Sequence, residues 1–176
     1  MQVRCIECRG RPMADIRKGT QMNSLVAELI AGIESNDEEA FIGAAMVAES
    51  LSMTNAAPIS PYDELLKANP PTPADGEALK RALTAYVQSN NSRLGRAIFA
   101  LGKFYDPALV PLFREHLAAE LKTLLDHNGV LASLIIALDN AGEKIIINGS
   151  QSPMEVDNSI AAARQYLKQF GQVFPW

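Results

Sequence analysis

Helix starts are written into this chain with unusual clarity, and they limit what it can become. Ser60-Pro61-Tyr62-Asp63, Thr72-Pro73-Ala74-Asp75 and Ser152-Pro153-Met154-Glu155 share one pattern. A hydroxyl at the N-cap accepts a bond from an otherwise orphaned backbone N–H. Proline in the first helical position loses nothing, because its missing N–H would have been unpaired there. A carboxylate two residues later suits the positive helix end, and Glu155 can complete a capping box. Ser35-Asn36-Asp37-Glu38 has the same logic without proline, and Asp106-Pro107 uses aspartate as the cap.

Apolar periodicity agrees with these starts. Val156, Ile160, Ala163, Leu167 and Phe170 recur at steps of four and three, a single stripe on a helix ended by Gly171. After Asp106 the apolar positions are Leu109, Leu112, Phe113, His116/Leu117, Leu121 and Leu124, the same period. Helices are predicted over 22–33, 36–53, 61–68, 73–89, 93–103, 107–126, 129–141 and 153–170. Only Lys144–Asn148 looks strand-like, and with no second strand after Asn148-Gly149 it reads as an extended connector packed on the helices. Short connections favour antiparallel neighbours. The expected fold is therefore all-α, an irregular antiparallel helical bundle or a short solenoid.

Charge divides the chain. Its net charge is −4 over 176 residues, yet residues 1–21 carry Arg4, Arg9, Arg11, Arg17 and Lys18 against Glu7 and Asp15. That lead-in stands at +3 and the remaining residues at −7. Residues 1–21 read as a flexible basic lead-in, or as upstream sequence ahead of a start at Met13 or Met22. Residues 22–176 read as one all-α domain. A body at −7 is a poor phosphate binder, which argues against nucleic acid, and it suits a basic protein partner. No apolar run is long enough for a membrane span and no secretory signal is evident, so the expected compartment is the cytoplasm.

No catalytic constellation stands out. There is no phosphate loop, dinucleotide fingerprint, HExxH or nucleophile elbow, so no enzyme activity, cofactor or metal is expected. Cys5 and Cys8 form one CxxC without a second pair to complete a zinc site. His116 falls on the apolar face of its helix and reads as a core or boundary histidine, and His127 as a turn residue near a helix end. The carboxylates Asp37, Glu38, Glu39, Asp63, Glu64, Asp75 and Glu77 stand in first turns, where the helix dipole alone explains them. They also form an acidic contact face if those helix ends share one edge of the fold. Trp176, the only tryptophan, is read as a capping element over an open end of the bundle or as an aromatic anchor for a partner.

Two internal features point to a family. Arg93–Gly102 aligns with Val130–Asp139 at an offset of 37, with Leu94/Leu131, Ile98/Ile135, Ala100/Ala137 and Leu101/Leu138 coinciding. Ala97–Leu112 also resembles a HEAT-like repeat: Ala100, Leu101 and Gly102 match the helix end, Asp106 and Pro107 the turn, and Val110, Pro111 and Leu112 the next helix. In that resemblance Gly102 relaxes the backbone near a helix C-terminus. It covers residues 93–141 and implies binding of other macromolecules along a surface of one helix set. Size, class and charge also resemble all-α immunity proteins of bacterial polymorphic toxin systems. The expected function is thus neutralisation of a basic cognate toxin by direct binding, and the alternative is a HEAT-like adaptor or assembly module, compatible with a homodimer.

Overall fold

The computed structural model describes residues 22–52, 66–89, 92–123, 129–145 and 156–172, with only the backbone at 156–159. The described residues are helical, with no strand among them. Seven α-helices stand out: α1 (Ser24–Glu34), α2 (Glu38–Ser52), α3 (Pro73–Gln88), α4 (Leu94–Gly102), α5 (Val110–Thr123), α6 (Val130–Asn140) and α7 (Val156–Lys168). A 3₁₀ turn, Pro107–Leu109, leads into α5, and residues 66–68 are also helical.

The fold is an irregular antiparallel helical bundle. Consecutive helices pack as the pairs α1/α2, α3/α4 and α5/α6, and α7 closes on α5 and α6. Across the pairs, α2 packs on α4 and α4 on α6, forming a central row; α1 lies against α3 on one flank. One continuous apolar core runs through all seven helices. The centre of the row explains its own composition. Seven of the nine residues of α4 are buried, Leu94, Gly95, Ala97, Ile98, Ala100, Leu101 and Gly102. A helix enclosed by neighbours on most sides has small residues where backbones meet and branched ones where gaps must be filled. The positions matched by the 37-residue offset are the buried positions of α4 and α6, which are direct neighbours.

Caps test the sequence reading most sharply. At α3 it holds as written: the Thr72 side chain accepts from the Asp75 N–H at 3.3 Å, Asp75 accepts from the Thr72 N–H at 2.8 Å, and Pro73 opens the helix. Asp106 caps as expected through the Ala108 N–H at 2.9 Å, although it opens a 3₁₀ turn before α5. The Ser35 site needs correction. Asn36 has φ 65, and the Asn36 and Asp37 N–H groups donate to Ile33 and Gly32 at 3.1 and 2.8 Å. That is a Schellman ending of α1 with asparagine as the left-handed residue. The cap of α2 is then Asp37, whose carboxylate accepts from the Glu39 N–H at 3.2 Å. Asparagine tolerates this backbone better than most residues, and here its side chain is also held by two residues distant in sequence, donating to Ser92 and accepting from Tyr86.

Gly102 also departs from the expectation. The left-handed residue after α4 is Tyr105, φ 51, while Gly102 is helical. A Cβ at Gly102 would stand 2.8 Å from both Cα and Cβ of Ala137. Glycine is needed there to let α4 and α6 touch. The buried face of α5 is shifted from the predicted stripe: Val110, Phe113, Leu117, Ala118 and Leu121 are buried, after Leu109 of the 3₁₀ turn, with Leu112 and His116 at the border. Predicted starts at Pro61 and Pro153, and most of the strand-like connector, lie outside the described residues.

Candidate protein-binding surface

The carboxylates expected at one edge have separate fates. Asp75 is buried, 5 % exposed, and is spent on structure. One oxygen accepts from the Asn23 N–H at 2.9 Å; the other accepts from the Thr72 N–H and hydroxyl at 2.8 and 2.6 Å. The Thr72 hydroxyl, with the Asn23 and Thr72 N–H groups, lowers its pKa against the opposing effect of burial. Asp75 therefore ties the start of α3 to the start of α1 and offers nothing to a contact face. Glu77 pairs with Lys80 at 2.7 Å within α3. Lys80 also reaches Asp106 at 2.8 Å. Burial works against the charge on Lys80, but the two carboxylates outweigh it and raise its pKa, while Lys80 foremost lowers that of Asp106.

Asp37, Glu38 and Glu39 do come together, at the start of α2. Glu38 receives Arg93 at 2.6 Å and Arg96 at 3.2 Å. Asp37 and Glu39 are exposed. The hairpin they belong to has a property that inspection of helix ends misses. Residues 22–52 contain Glu28, Glu34, Asp37, Glu38, Glu39 and Glu49 and no lysine or arginine. Two of the six are matched across the interface by α4: Glu38 by both arginines, Glu49 by Lys103 at 2.9 Å. Glu28, Glu34, Asp37 and Glu39 are exposed and enter no ion pair among the described residues. The signal in the sequence was the one-sided charge of a whole hairpin. Asp63, Glu64 and Trp176 lie outside the described residues.

The outer face of the central row carries the second feature. On α2, residues 38, 42 and 49 share a lane; on α4 and its C-cap, residues 96, 99 and 103 do. The pairs Glu38–Arg96 and Glu49–Lys103 bridge the lanes, and between them Ile42 and Phe99 stay 39 % and 37 % exposed. Lys103 also stands 5.3 Å from the centre of the Phe99 ring. Such exposed pairs contribute only about 0–1 kcal/mol each, so their main effect is to frame the apolar residues. Beside them a groove of about 590 Å³ runs between α4 and α6, with Phe99, Ala132 and Ile136 as apolar walls and Arg93, Arg96 and Glu38 at the rim.

His116 is half-buried on α5, and burial lowers its pKa, with Glu115 opposing in smaller measure. Among the described residues no three His, Cys, Asp or Glu side chains are grouped to hold a metal ion. No described helix is long and apolar enough to cross a membrane. Cys5, Cys8 and His127 lie outside the described residues. No family model matches the chain, and neither a characterised protein nor a solved structure matches it.

Proposed function

We propose that the chain is a protein-binding protein that neutralises a basic cognate toxin by covering it, in the manner of all-α immunity proteins. The observation that carries this reading is the α1/α2 hairpin: six carboxylates, no cation, and four of the six exposed outside any described ion pair. A one-sided field of this kind attracts a basic surface and speeds its encounter, by roughly 10–10³-fold at low salt. A second reading, a HEAT-like adaptor or assembly module, draws on the adjacent packing of the sequence-matched helices α4 and α6.

The test is co-expression with the products of neighbouring genes. Under the first reading one of them is toxic alone, is harmless with this chain, and forms a stable one-to-one complex with it. Glu28→Lys, Glu34→Lys and Glu39→Lys together weaken that complex, mainly through association rate, and the weakening shrinks as salt is raised. Asp37 is left intact because it caps α2. Protection that is indifferent to the triple reversal refutes the hairpin as the contact. Several unrelated non-toxic partners, or a stable homo-oligomer, favour the adaptor.

A further inference from the structure

We propose that the groove between α4 and α6 binds an acidic, apolar segment of a partner protein, seating one large apolar side chain beside a carboxylate. The groove shares Glu38 with the acidic hairpin, but its apolar seat lies on α4 and α6, so substitution of Phe99 tests it apart from the charge reversals on α1 and α2. Phe99 and Ile136, equivalent positions in the two sequence-matched helices, form its apolar walls with Ala132. An apolar side chain laid between them removes from water the ring of Phe99, 37 % of whose residue surface is now exposed.

Charge selects the occupant. Among the described residues the groove is lined by two guanidinium groups and one carboxylate, Arg93, Arg96 and Glu38. Glu38 is shared unequally: Arg93 holds one oxygen at 2.6 Å and also donates to the Asn36 carbonyl at 3.1 Å, while Arg96 holds the other at 3.2 Å. Arg96 has the more exposed side chain, 58 % against 35 % for Arg93, and is the cation free to turn toward a second carboxylate. The starts of α4 and α6 reach the same groove through Gly95 and Gly129, and neither has a side-chain cap, unlike those of α1 and α3. Their dipoles add to the positive sign of the lining. Ser92 and Ser133 supply hydroxyls at the edge. A basic segment would meet two arginines and two positive helix ends here, with the described lining carboxylate, Glu38, already bonded to both arginines; an acidic one meets complementary charge together with an apolar seat.

The test uses a random peptide library displayed on phage, selected on the folded chain. The expected winners carry more Asp and Glu than Lys and Arg, together with at least one Leu, Phe or Trp. A winning peptide, made synthetically, should bind at least about tenfold more weakly to Phe99→Ser and to Arg96→Glu, the loss expected for one apolar anchor or one charge-assisted contact. Lys122→Glu, on α5, should leave binding unchanged. Circular dichroism of each variant checks that the helices persist, as the exposure of both side chains predicts. A basic consensus, no enrichment, or wild-type binding by both variants overturns the proposal. So does a concentration-dependent dimer in light scattering that Phe99→Ser abolishes, since the occupant would then be a second copy of the chain.

Discussion

Replacing Gly102 by alanine separates two accounts of the same residue. If glycine merely relaxes a helix end, alanine improves the helix by about 1 kcal/mol. The packing of α4 on α6 leads to the opposite sign. The new Cβ would lie 2.8 Å from two carbons of Ala137, one of them the Cα of a buried helix. Ordinary carbon contacts sit near 3.5–4.0 Å, so the two helices must part by roughly 1 Å. A gap of that size forfeits about a quarter to a half of the dispersion attraction of each contact it opens, and Ile98, Leu101, Leu134 and Leu138, all buried, lie on these two helices. Overpacking of this kind costs about 1–3 kcal/mol after relaxation. Subtracting the helix-propensity gain leaves a net loss of about 0–2 kcal/mol, or up to roughly 8 °C in Tm for a chain of this size. Urea denaturation followed by circular dichroism measures it directly. Adding Ala137→Gly removes only one of the two close contacts and introduces a second helical glycine, so it should not restore stability. A midpoint for Gly102→Ala raised by the full helix-propensity gain would refute the close-approach account.

Other perturbations follow from the same contacts. Asp75→Ala leaves the Asn23 N–H without its acceptor and uncaps α3, for a loss of about 2–4 kcal/mol in denaturant melts. Because the folded pKa of Asp75 is lowered, its contribution is present above the unfolded value of 3.8 and lost as pH falls below it; the variant should lose less stability across that acid range. Asn36→Gly keeps the left-handed turn but loses the bonds to Tyr86 and Ser92, whereas Asn36→Ala loses both and adds backbone strain, so alanine should be the worse by about 1 kcal/mol. Tyr166 is buried and donates its O–H to Glu143 at 2.7 Å, which together raise its pKa to about 12 against the opposing effect of Arg114. Its contribution is complete below pH 10 and lost as pH rises through about 12. Ultraviolet titration should show one tyrosine ionising that late, and Tyr166→Phe should remove it.

Much of the fold was legible because its signals are local. A cap needs a hydroxyl or carboxylate within three residues of the amide it satisfies, so Thr72-Pro73-Ala74-Asp75 and Asp106-Pro107 could be read directly from spacing. The 3.6-residue apolar period places a helix whatever its neighbours are, and the observed helices fall within a few residues of the predicted ones. The Ser35 start failed because a Schellman ending and an N-cap compete for the same polar residues, and only the course of α1 decides which wins.

The candidate surfaces were less legible, because a charge has meaning only beside its neighbours. Asp75, Glu38 and Glu39 look alike as acidic residues in first turns. Tertiary packing buries the first under Asn23 and Thr72, shares the second between two arginines of α4, and leaves the third in water. The local sequence thus determined where helices begin, which stripes they bury and that the first hairpin is purely acidic. Which carboxylates remain unmatched, why Gly102 must lack a side chain, and that Phe99 and Ile136 face one groove were decided only when distant helices came together. Short-range hydrogen bonding is encoded in consecutive residues, whereas desolvation, ion pairing and close approach depend on partners dozens of positions away.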